Sequence, residues 1–179
     1  MILKGKKVIL RPPKISDAEL VVKYGNDPVV NKFTSRNPKK LTVKNIRKWI
    51  TEELPKDKSY KKFAIDIESV GYIGNTGLQV VKMDNYAEFD IVIHRKEFWG
   101  KGYGYDATMT VLKYGFEKLK LHMIYLHTYA YNKRAQGLYK KIGFKKNGIM
   151  RESVLYKGRY YDKIIMSMLA KEWKHKKTL

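Results

Sequence analysis

The sequence contains no cysteine, and its four histidines show no metal-ligand spacing such as HxxxH. A chain without cysteine forms no disulfide, offers no thiol nucleophile and cannot build a cysteine-based zinc site. Covalent catalysis through a thiol is therefore excluded, and we expect no metal cofactor.

Long apolar runs are also missing, since no stretch approaches the roughly 20 residues needed to span a bilayer. The first residues, MILKGKKVILRPP, are too few and too charged for a secretory signal. A length of 179 residues with 44% hydrophobic residues suits one folded domain. We therefore expect a cytoplasmic protein without membrane contact and a single domain at 1–179, with its core at 7–168 and a basic tail at 171–179.

Acidic residues are scarce: 17 Asp and Glu stand against 38 Lys and Arg, which gives a formal net charge of +21. The basic residues are spread along the whole chain, with no arginine-rich arm. A solvated, lysine-rich surface explains this excess without any partner. An anionic partner such as RNA, a ribosome or a phosphorylated cofactor is the alternative explanation. Both interpretations stay open at this stage.

Hydrophobic periodicity and chain breakers predict an alternation of strands and helices. Strands are predicted at 6–12, 61–68, 71–81, 86–94, 122–130 and 159–169, and one more begins at Phe144. Helices are predicted at 16–27, 41–55 and 133–142, and from the glycine-rich segment to about Leu119. The order β-α-α-β-β-β-α-β-α-β-β predicts an α+β domain with a mainly antiparallel sheet and at least one βαβ crossover.

Two of these helices carry signals at their ends or along one face. Ser16, three residues before Glu19, forms the pattern of a capping box. In the second helix the apolar residues repeat on one face, and Pro55 is expected to stop the helix. These apolar residues are Val43, Ile46, Ile50 and Leu54.

Three glycines at alternate positions, Gly100, Gly102 and Gly104, lie between a predicted strand and a predicted helix. A tight turn into a helix exposes the first N–H groups of that helix, and glycine lets an anion approach the backbone closely. A dinucleotide fingerprint would need glycine where Tyr105 stands, and no P-loop pattern occurs. The segment is therefore either an anion-binding loop or a turn required for close packing.

A second motif, YNKRAQGLYKKIGF, covers 131–144. Asn132 is well placed to cap a short helix, and Gly143 supplies its left-handed stop. The apolar face of that helix consists of Ala135, Leu138, Tyr139 and Ile142.

The two motifs together resemble the GNAT superfamily of acyl-CoA-dependent N-acyltransferases. WGKGYG resembles the pyrophosphate loop of that family, and NKRAQGLYKKIGF resembles its N-x-x-A-x-x-x-Y-x-x-x-G-F helix. The segment 8–30 resembles the subgroup that acetylates the N-termini of ribosomal proteins, whereas 87–93 and 158–169 resemble the spermidine acetyltransferases. The superfamily often has Gln or Arg where Trp99 stands, and tryptophan occurs there in the ribosomal-protein subgroup.

The resemblance implies that acetyl-CoA binds in a cleft where two parallel strands, 87–94 and 122–130, splay apart. The N–H groups of Lys101 to Gly104 would hold the pyrophosphate, and the pantetheine would add along Ile91 to His94. Lys101, Lys133 and Arg134 are candidates for the other phosphates, with solvated surface charge as the alternative. The implied cofactor-binding residues are Ile91, Val92, Ile93, His94, Trp99, Gly100, Lys101, Gly102, Tyr103, Gly104, Asn132, Lys133 and Arg134.

The same resemblance implies a catalytic role for Tyr139 as general acid for the departing sulfur. A thiol has a pKa of about 8.5, so the leaving group needs little help. Much of the acceleration comes from placing the two reactants in register. The alternative for Tyr139 is a plain core tyrosine. For Asn132 the alternatives are a helix cap and a residue that orients the backbone or pantetheine.

Period 2 places Glu88, Asp90, Val92 and His94 on one face of the strand before the glycines. Two carboxylates on one side of a central strand are costly unless they are solvated or used. Glu88 is therefore a candidate general base, or a site for a cationic substrate, and Asp90 is a candidate substrate-binding residue. A solvent-facing strand is the alternative. His127 in the neighbouring strand is a second candidate base, with a satisfied core histidine as its alternative.

Two classes of function remain: an acetyl-CoA-dependent N-acetyltransferase, and an RNA- or ribosome-binding module that kept the fold without catalysis. The glycine-rich loop and Tyr139 favour the enzyme. A protein or peptide α-amine is the favoured acceptor, because a field from +21 repels a polyamine at long range. Spermidine or a diamine is the alternative acceptor, and whether the chain forms a homodimer stays open. Capture of a polyamine would need a local acidic pocket drawn from Glu19, Glu52, Glu53, Glu88 and Asp90.

Overall fold

One mixed sheet of eight strands organises the chain in the computed structural model, which describes residues 1–34 and 41–177. The strand order is β1-β2-β3-β4-β5-β6-β8-β7, and the one parallel pair is β5–β6. The strands are β1 Leu3–Lys4, β2 Ile9–Arg11, β3 Tyr60–Ile67, β4 Gly71–Val81, β5 Tyr86–Ile93, β6 Met123–Tyr129, β7 Lys145–Tyr156 and β8 Arg159–Leu169. This sheet confirms the predicted α+β fold with a mainly antiparallel sheet and a βαβ crossover.

Helices cover both faces of the sheet. They are α1 Ala18–Gly25, α2 Pro28–Asn31, α3 Val43–Lys48, α4 Tyr103–Lys113, α5 Lys133–Ile142 and α6 Ala170–Lys177. Tighter 3₁₀ turns lie at Ile15–Asp17 and Lys96–Phe98, and π-helical turns extend α3 over Trp49–Glu53 and α4 over Tyr114–Lys118. Among the described helices, none is long and apolar enough to cross a membrane.

The main core lies between the sheet and the face covered by α4 and α5. Alternate residues of each strand point into it, as Phe63 and Ile65 do, whereas Ala64 points to the other face. There Ala64 packs with Val21 of α1 and Tyr72. The predicted apolar face of the second helix is confirmed, because Ile50 is buried and Val43, Ile46 and Leu54 are half-buried.

Three elements are additional to the predicted order: β1, α2 and α6. The first two span only two and four residues, which is too short for a periodic signal. In α6 the hydrophobic anchor is Trp173, whose buried indole stacks on Phe116 with ring centroids 5.7 Å apart. The segment 171–177 of the expected basic tail is therefore helical, and residues 178–179 lie outside the described part of the chain.

The capping box expected at Ser16 and Glu19 is wrong. The helical segment begins at Ile15, and the carboxylate of Asp17 accepts the Lys14 N–H at 2.7 Å. The same carboxylate pairs with Arg11, which also binds Asp66 on β3. Glu19 instead lies on the exposed side of α1, where it pairs with Arg47. Asp17 therefore takes the capping position expected for Glu19 and also joins an ion-pair cluster.

A buried carboxylate at the start of α4 holds the β1–β2 hairpin in place. Asp106 accepts the N–H groups of Lys6 at 3.1 Å, Lys7 at 2.7 Å and Val8 at 3.1 Å. A Cβ on Gly5 would collide with this carboxylate, so only glycine fits there. The hairpin thereby becomes part of the support for the glycine-rich turn that precedes α4.

The central parallel pair separates after only three residue pairs. Tyr86, Ala87 and Glu88 pair with residues 123–125, and beyond Glu88 the two strands diverge. The divergence opens a cleft between the second half of β5 and the second half of β6.

Candidate active site

The cleft between β5 and β6 has a volume of about 470 Å³. It is closed on one side by the glycine-rich turn and α4, and on another by α5. Most of the residues singled out in the sequence line it. These are Glu88, Asp90, Ile91, Val92, Ile93, Trp99, Gly100, Gly102, Gly104, Asn132, Arg134 and Tyr139, together with His127.

The three glycines have different structural roles. Gly100 and Gly102 have φ angles of 75° and 86°, a left-handed conformation that favours glycine. Gly102 is the N-cap of α4, and the first hydrogen bond of the helix runs from Asp106 N to Gly102 O at 3.0 Å. Because the first N–H groups of a helix have no acceptor within it, they can bind an anion.

Gly104 lies inside α4 with an ordinary helical conformation, so the turn does not require glycine here. A Cβ at this position would reach Leu138 and Ile93 at 3.8 and 3.9 Å, which are ordinary contacts. The absent side chain instead keeps the wall of the cleft bare.

Fewer backbone groups of β5 face the cleft, and could pair with pantetheine, than the resemblance implied. The carbonyl of Asp90 and the N–H of His94 both bond towards β4, to Thr76 and to Ile73. Since backbone groups alternate in direction along a strand, the groups of Ile91 and Ile93 point into the cleft. The carbonyl of Ile93 already accepts the Trp99 indole N–H at 2.7 Å, so it is not offered to a ligand.

His94 is the one residue of the segment Ile91 to His94 that the structure does not bring to the cleft. His94 does not line the cleft; its Nδ1 lies 2.6 Å from the Tyr72 hydroxyl on the far side of the strand. Burial lowers the pKa of His94 to about 4, so the ring is neutral at neutral pH.

One of the three basic candidates for phosphates reaches the cleft. Arg134 lies flat on Trp99, with its guanidinium carbon 3.7 Å from the ring centroid. Lys101 and Lys133 are exposed and do not line the cleft, and Tyr103 packs edge-on against Phe98. The structure therefore brings Arg134 to the site, whereas Lys101, Lys133 and Tyr103 lie outside the cleft lining.

Asn132 caps α5, since its side-chain oxygen accepts the Ala135 N–H at 3.2 Å. It also lines the cleft. The helix cap is thus confirmed, and a contact with pantetheine stays a prediction.

Tyr139 is 7% exposed and lies between two aromatic rings, Phe89 of β5 and Phe144. Burial, reinforced by the negative charge of Asp90, raises the pKa of Tyr139 well above its usual value. The phenol therefore stays protonated at neutral pH and can donate its proton into the cleft.

The two candidate bases, Glu88 and His127, contact each other. Glu88 Oε1 lies 2.7 Å from His127 Nδ1, and Glu88 Oε2 accepts the Tyr125 hydroxyl at 2.9 Å. The hydrogen bonds from His127 and Tyr125 lower the pKa of Glu88. Burial raises the pKa of Tyr125 to about 12, which keeps its hydroxyl a donor.

Asp90 is also paired. It accepts the Tyr60 hydroxyl at 2.7 Å and forms an ion pair with Lys62, both on β3. These partners could not be predicted from the sequence, because β4 lies between β3 and β5 and no local pattern shows the register across three strands. Tyr125, in contrast, shares a strand face with His127 by period 2 and was open to sequence reasoning.

The chain is similar in sequence to known N-acetyltransferases. The profile of the Acetyltransferase (GNAT) domain matches residues 7–145. The Probable N-acetyltransferase YjcK of Bacillus subtilis is 31% identical over 174 residues, which cover 93% of this chain and 96% of the relative. A second relative from that organism, YdaF, whose name proposes a ribosomal N-acetyltransferase, is 30% identical over 82 residues, or 46% of this chain and 45% of the relative.

Among solved structures, the spermidine N-acetyltransferase of Vibrio cholerae in complex with CoA and spermine superposes with a TM-score of 0.86 at 24% identity. The match covers 95% of this chain and 99% of that one. At this identity the likeness shows a shared fold.

Proposed function

Since this chain belongs to the GNAT family of acetyltransferases, we propose that it moves the acetyl group of acetyl-CoA to the N-terminal α-amine of a protein or peptide. Family membership makes the chain an acetyl-CoA-dependent N-acetyltransferase and not a binding module that lost the chemistry. The identity of the acceptor is the part that needs an argument from the site.

The pairing of the carboxylates in the cleft supports this acceptor. Among the described residues that line the cleft, the acidic ones are Glu88 and Asp90. Glu88 is bound by His127 and Tyr125, and Asp90 by Lys62 and Tyr60. A polyamine carries several ammonium groups, which need carboxylate oxygens that are free to accept their hydrogen bonds and so offset their desolvation. An α-amine brings a single positive charge, and the cleft suits it better.

The other acidic residues that a polyamine pocket would need do not line the cleft. Glu19 is neutralised by Arg47 on the outer face of the α1–α3 pair. Glu52 and Glu53 are exposed on the π-helical turn and do not line the cleft. The net charge of +21 adds a long-range repulsion of polycations.

A polyamine acceptor is the second candidate, and the comparisons favour it. The Vibrio cholerae protein of the same fold is a spermidine acetyltransferase whose structure contains spermine. The two candidates differ in one physical respect: the acceptor is either a single cation in a basic field or a polycation held by local acidic groups.

The site suits acetyl-CoA in four features of its own residues. The N–H groups of the glycine-rich turn and of the first residues of α4, from Lys101 to Gly104, would hold the pyrophosphate, and Arg134 would reach another phosphate. The free groups of Ile91 and the N–H of Ile93 would pair with the pantetheine amides. Tyr139 would give its proton to the sulfur as the C–S bond breaks.

Gly104→Val is expected to weaken CoA binding by more than about tenfold, or about 1.4 kcal/mol. The new side chain extends from a backbone position that tolerates a Cβ into the space required by the phosphates. Titration calorimetry with CoA measures the change in affinity, and thermal unfolding checks that the domain still folds.

Gly137→Val is the matched control, because Gly137 also lies in a helix, on the exposed side of α5 with open space around it. It carries the same loss of helix propensity but does not face the cleft. Unchanged CoA affinity in a folded Gly104→Val protein would reduce the third glycine to a packing residue.

The acceptor proposal is tested by comparing kcat/KM for an Ala-starting peptide with that for spermidine at two salt concentrations. We expect the peptide to be preferred, and we expect added salt to improve spermidine, because screening over about 8 Å weakens the repulsion by the basic surface. Release of free CoA thiol measures both reactions.

A spermidine kcat/KM about a hundredfold above every peptide tested, or about 2.7 kcal/mol, would overturn the choice of acceptor. The basic surface would then play no part in acceptor selection. The acetyltransferase assignment itself would stand, because it depends on the family and not on the acceptor.

A further inference from the structure

We propose that His127 is the general base for the acceptor amine and that Glu88 is the residue that positions it. The two side chains form what we call the Glu88–His127 dyad. The proposal deepens the acetyltransferase function and rests on it, but it is independent of which amine is the acceptor.

The dyad lies at the point where the two parallel strands separate. Glu88 is the last residue of β5 that pairs with β6, opposite Tyr125. His127 is two residues further along β6, on the same face, so its ring reaches back across the opening to Glu88. The dyad therefore spans the gap between β5 and β6 where the cleft begins, next to the backbone groups proposed to hold the pantetheine.

The contacts of Glu88 make it a weak base and a strong orienting group. Both of its oxygens are engaged, one by His127 and the other by Tyr125, and these hydrogen bonds favour the ionised carboxylate. A carboxylate held this way accepts the Nδ1–H of a neutral imidazole and fixes that tautomer. The lone pair then lies on Nε2, and the ring, whose side chain is 39% exposed, can present it to the acceptor.

The proposed acid and base lie on opposite faces of the sheet. Glu88 and His127 share one face, whereas Phe89, against which Tyr139 packs, points to the other.

During transfer the amine nitrogen forms a bond to the acetyl carbon, and His127 Nε2 takes the proton that this nitrogen loses. The C–S bond breaks, its electron pair goes to sulfur, and Tyr139 supplies the proton of the thiol. The imidazolium then releases its proton to solvent, and the phenol is reprotonated.

The charged and titratable neighbours of His127 come from β5, β6 and β8. Glu88 and Tyr125 touch the dyad directly, and Asp90 follows on the same face of β5 but is paired with Lys62. Lys163 on β8 is near enough to lower the pKa of Glu88. The carboxylate of Glu88 is thus the negative group that faces the ring, and it stabilises the imidazolium formed during catalysis.

His127→Gln is expected to lower kcat/KM about a hundredfold, because positioned general bases contribute about 10²–10⁴-fold. CoA affinity by calorimetry should not change. His122→Gln is the control, since His122 is exposed just before β6 and does not line the cleft. Added imidazole should restore part of the activity of His127→Ala. A His127→Gln enzyme with full activity at all pH values would overturn the proposal.

Glu88→Gln separates positioning from direct catalysis. We expect the acidic limb of the pH–rate profile to move to lower pH, because the positive ring loses its facing carboxylate. A structural role for Glu88 would lower the rate without moving that limb. If the acidic limb vanishes in Glu88→Gln but persists in His127→Gln, Glu88 itself is the base and the assignment is reversed.

The tautomer of His127 gives a test that needs no acceptor. In the free wild-type protein at alkaline pH, ¹⁵N NMR should show the proton of the neutral ring on Nδ1. A neutral ring with its proton on Nε2 could not accept a proton there, and that result would overturn the proposal even if peptides and spermidine were both poor acceptors.

Discussion

Tyr139→Phe is expected to lower kcat about a hundredfold while leaving CoA affinity unchanged. A positioned general acid contributes about 10²–10⁴-fold, and we expect the lower end because a thiol of pKa about 8.5 leaves easily. The substitution removes only the hydroxyl, and the ring keeps its contacts with Phe89 and Phe144. Steady-state kinetics and calorimetry with CoA measure the two effects separately.

Tyr114→Phe provides the matched control, because Tyr114 is also buried and packs edge-on against a phenylalanine, Phe63. It lies outside the cleft, so its loss of a hydroxyl should leave kcat near the wild-type value. Wild-type kcat in Tyr139→Phe across the pH range would remove this hydroxyl from the mechanism.

Asp106→Ala is expected to reduce the free energy of unfolding by about 3 kcal/mol. The carboxylate accepts three backbone N–H groups, and each one left without a partner in a buried place costs about 1–3 kcal/mol. We use the low end of that range because Lys6 and Lys7 belong to an exposed loop that water can reach. Urea denaturation measures the change.

Two further variants define the cause. Asp106→Asn keeps one oxygen acceptor and should fall between wild type and Asp106→Ala. Asp84→Ala removes an exposed aspartate from the β4–β5 turn and should change stability by less than about 0.5 kcal/mol. A loss under about 1 kcal/mol in Asp106→Ala would mean that the hairpin does not depend on this carboxylate.

The sequence predicted features that depend on neighbours along the chain. The period of β5 separated Glu88 and Asp90 from Phe89 and Ile91 correctly, because side-chain direction in a strand alternates with residue number. The glycine-rich turn was likewise placed correctly, since positive φ angles at Gly100 and Gly102 are a local requirement.

Features that depend on register across strands escaped prediction. The ion pair of Asp90 with Lys62 and the hydrogen bond of His94 with Tyr72 join residues that are far apart in sequence. The capping box was wrong for a local reason, because the Asp17 carboxylate accepts the Lys14 N–H and the helical segment begins one residue before Ser16. A local pattern states which groups are available, and packing decides which groups meet.

The indole of Trp99 gives the cleft an optical reporter of its own. Of the three tryptophans, all in the described part of the chain, Trp99 is the one that lines the cleft, and it lies between the Ile93 carbonyl and the Arg134 guanidinium. Trp49 lies at the end of α3, and Trp173 is buried against Phe116. With Trp49 and Trp173 replaced by phenylalanine, the remaining tryptophan emission would come from the site alone, so occupancy of the cleft could be followed in unlabelled protein by fluorescence excited selectively at tryptophan.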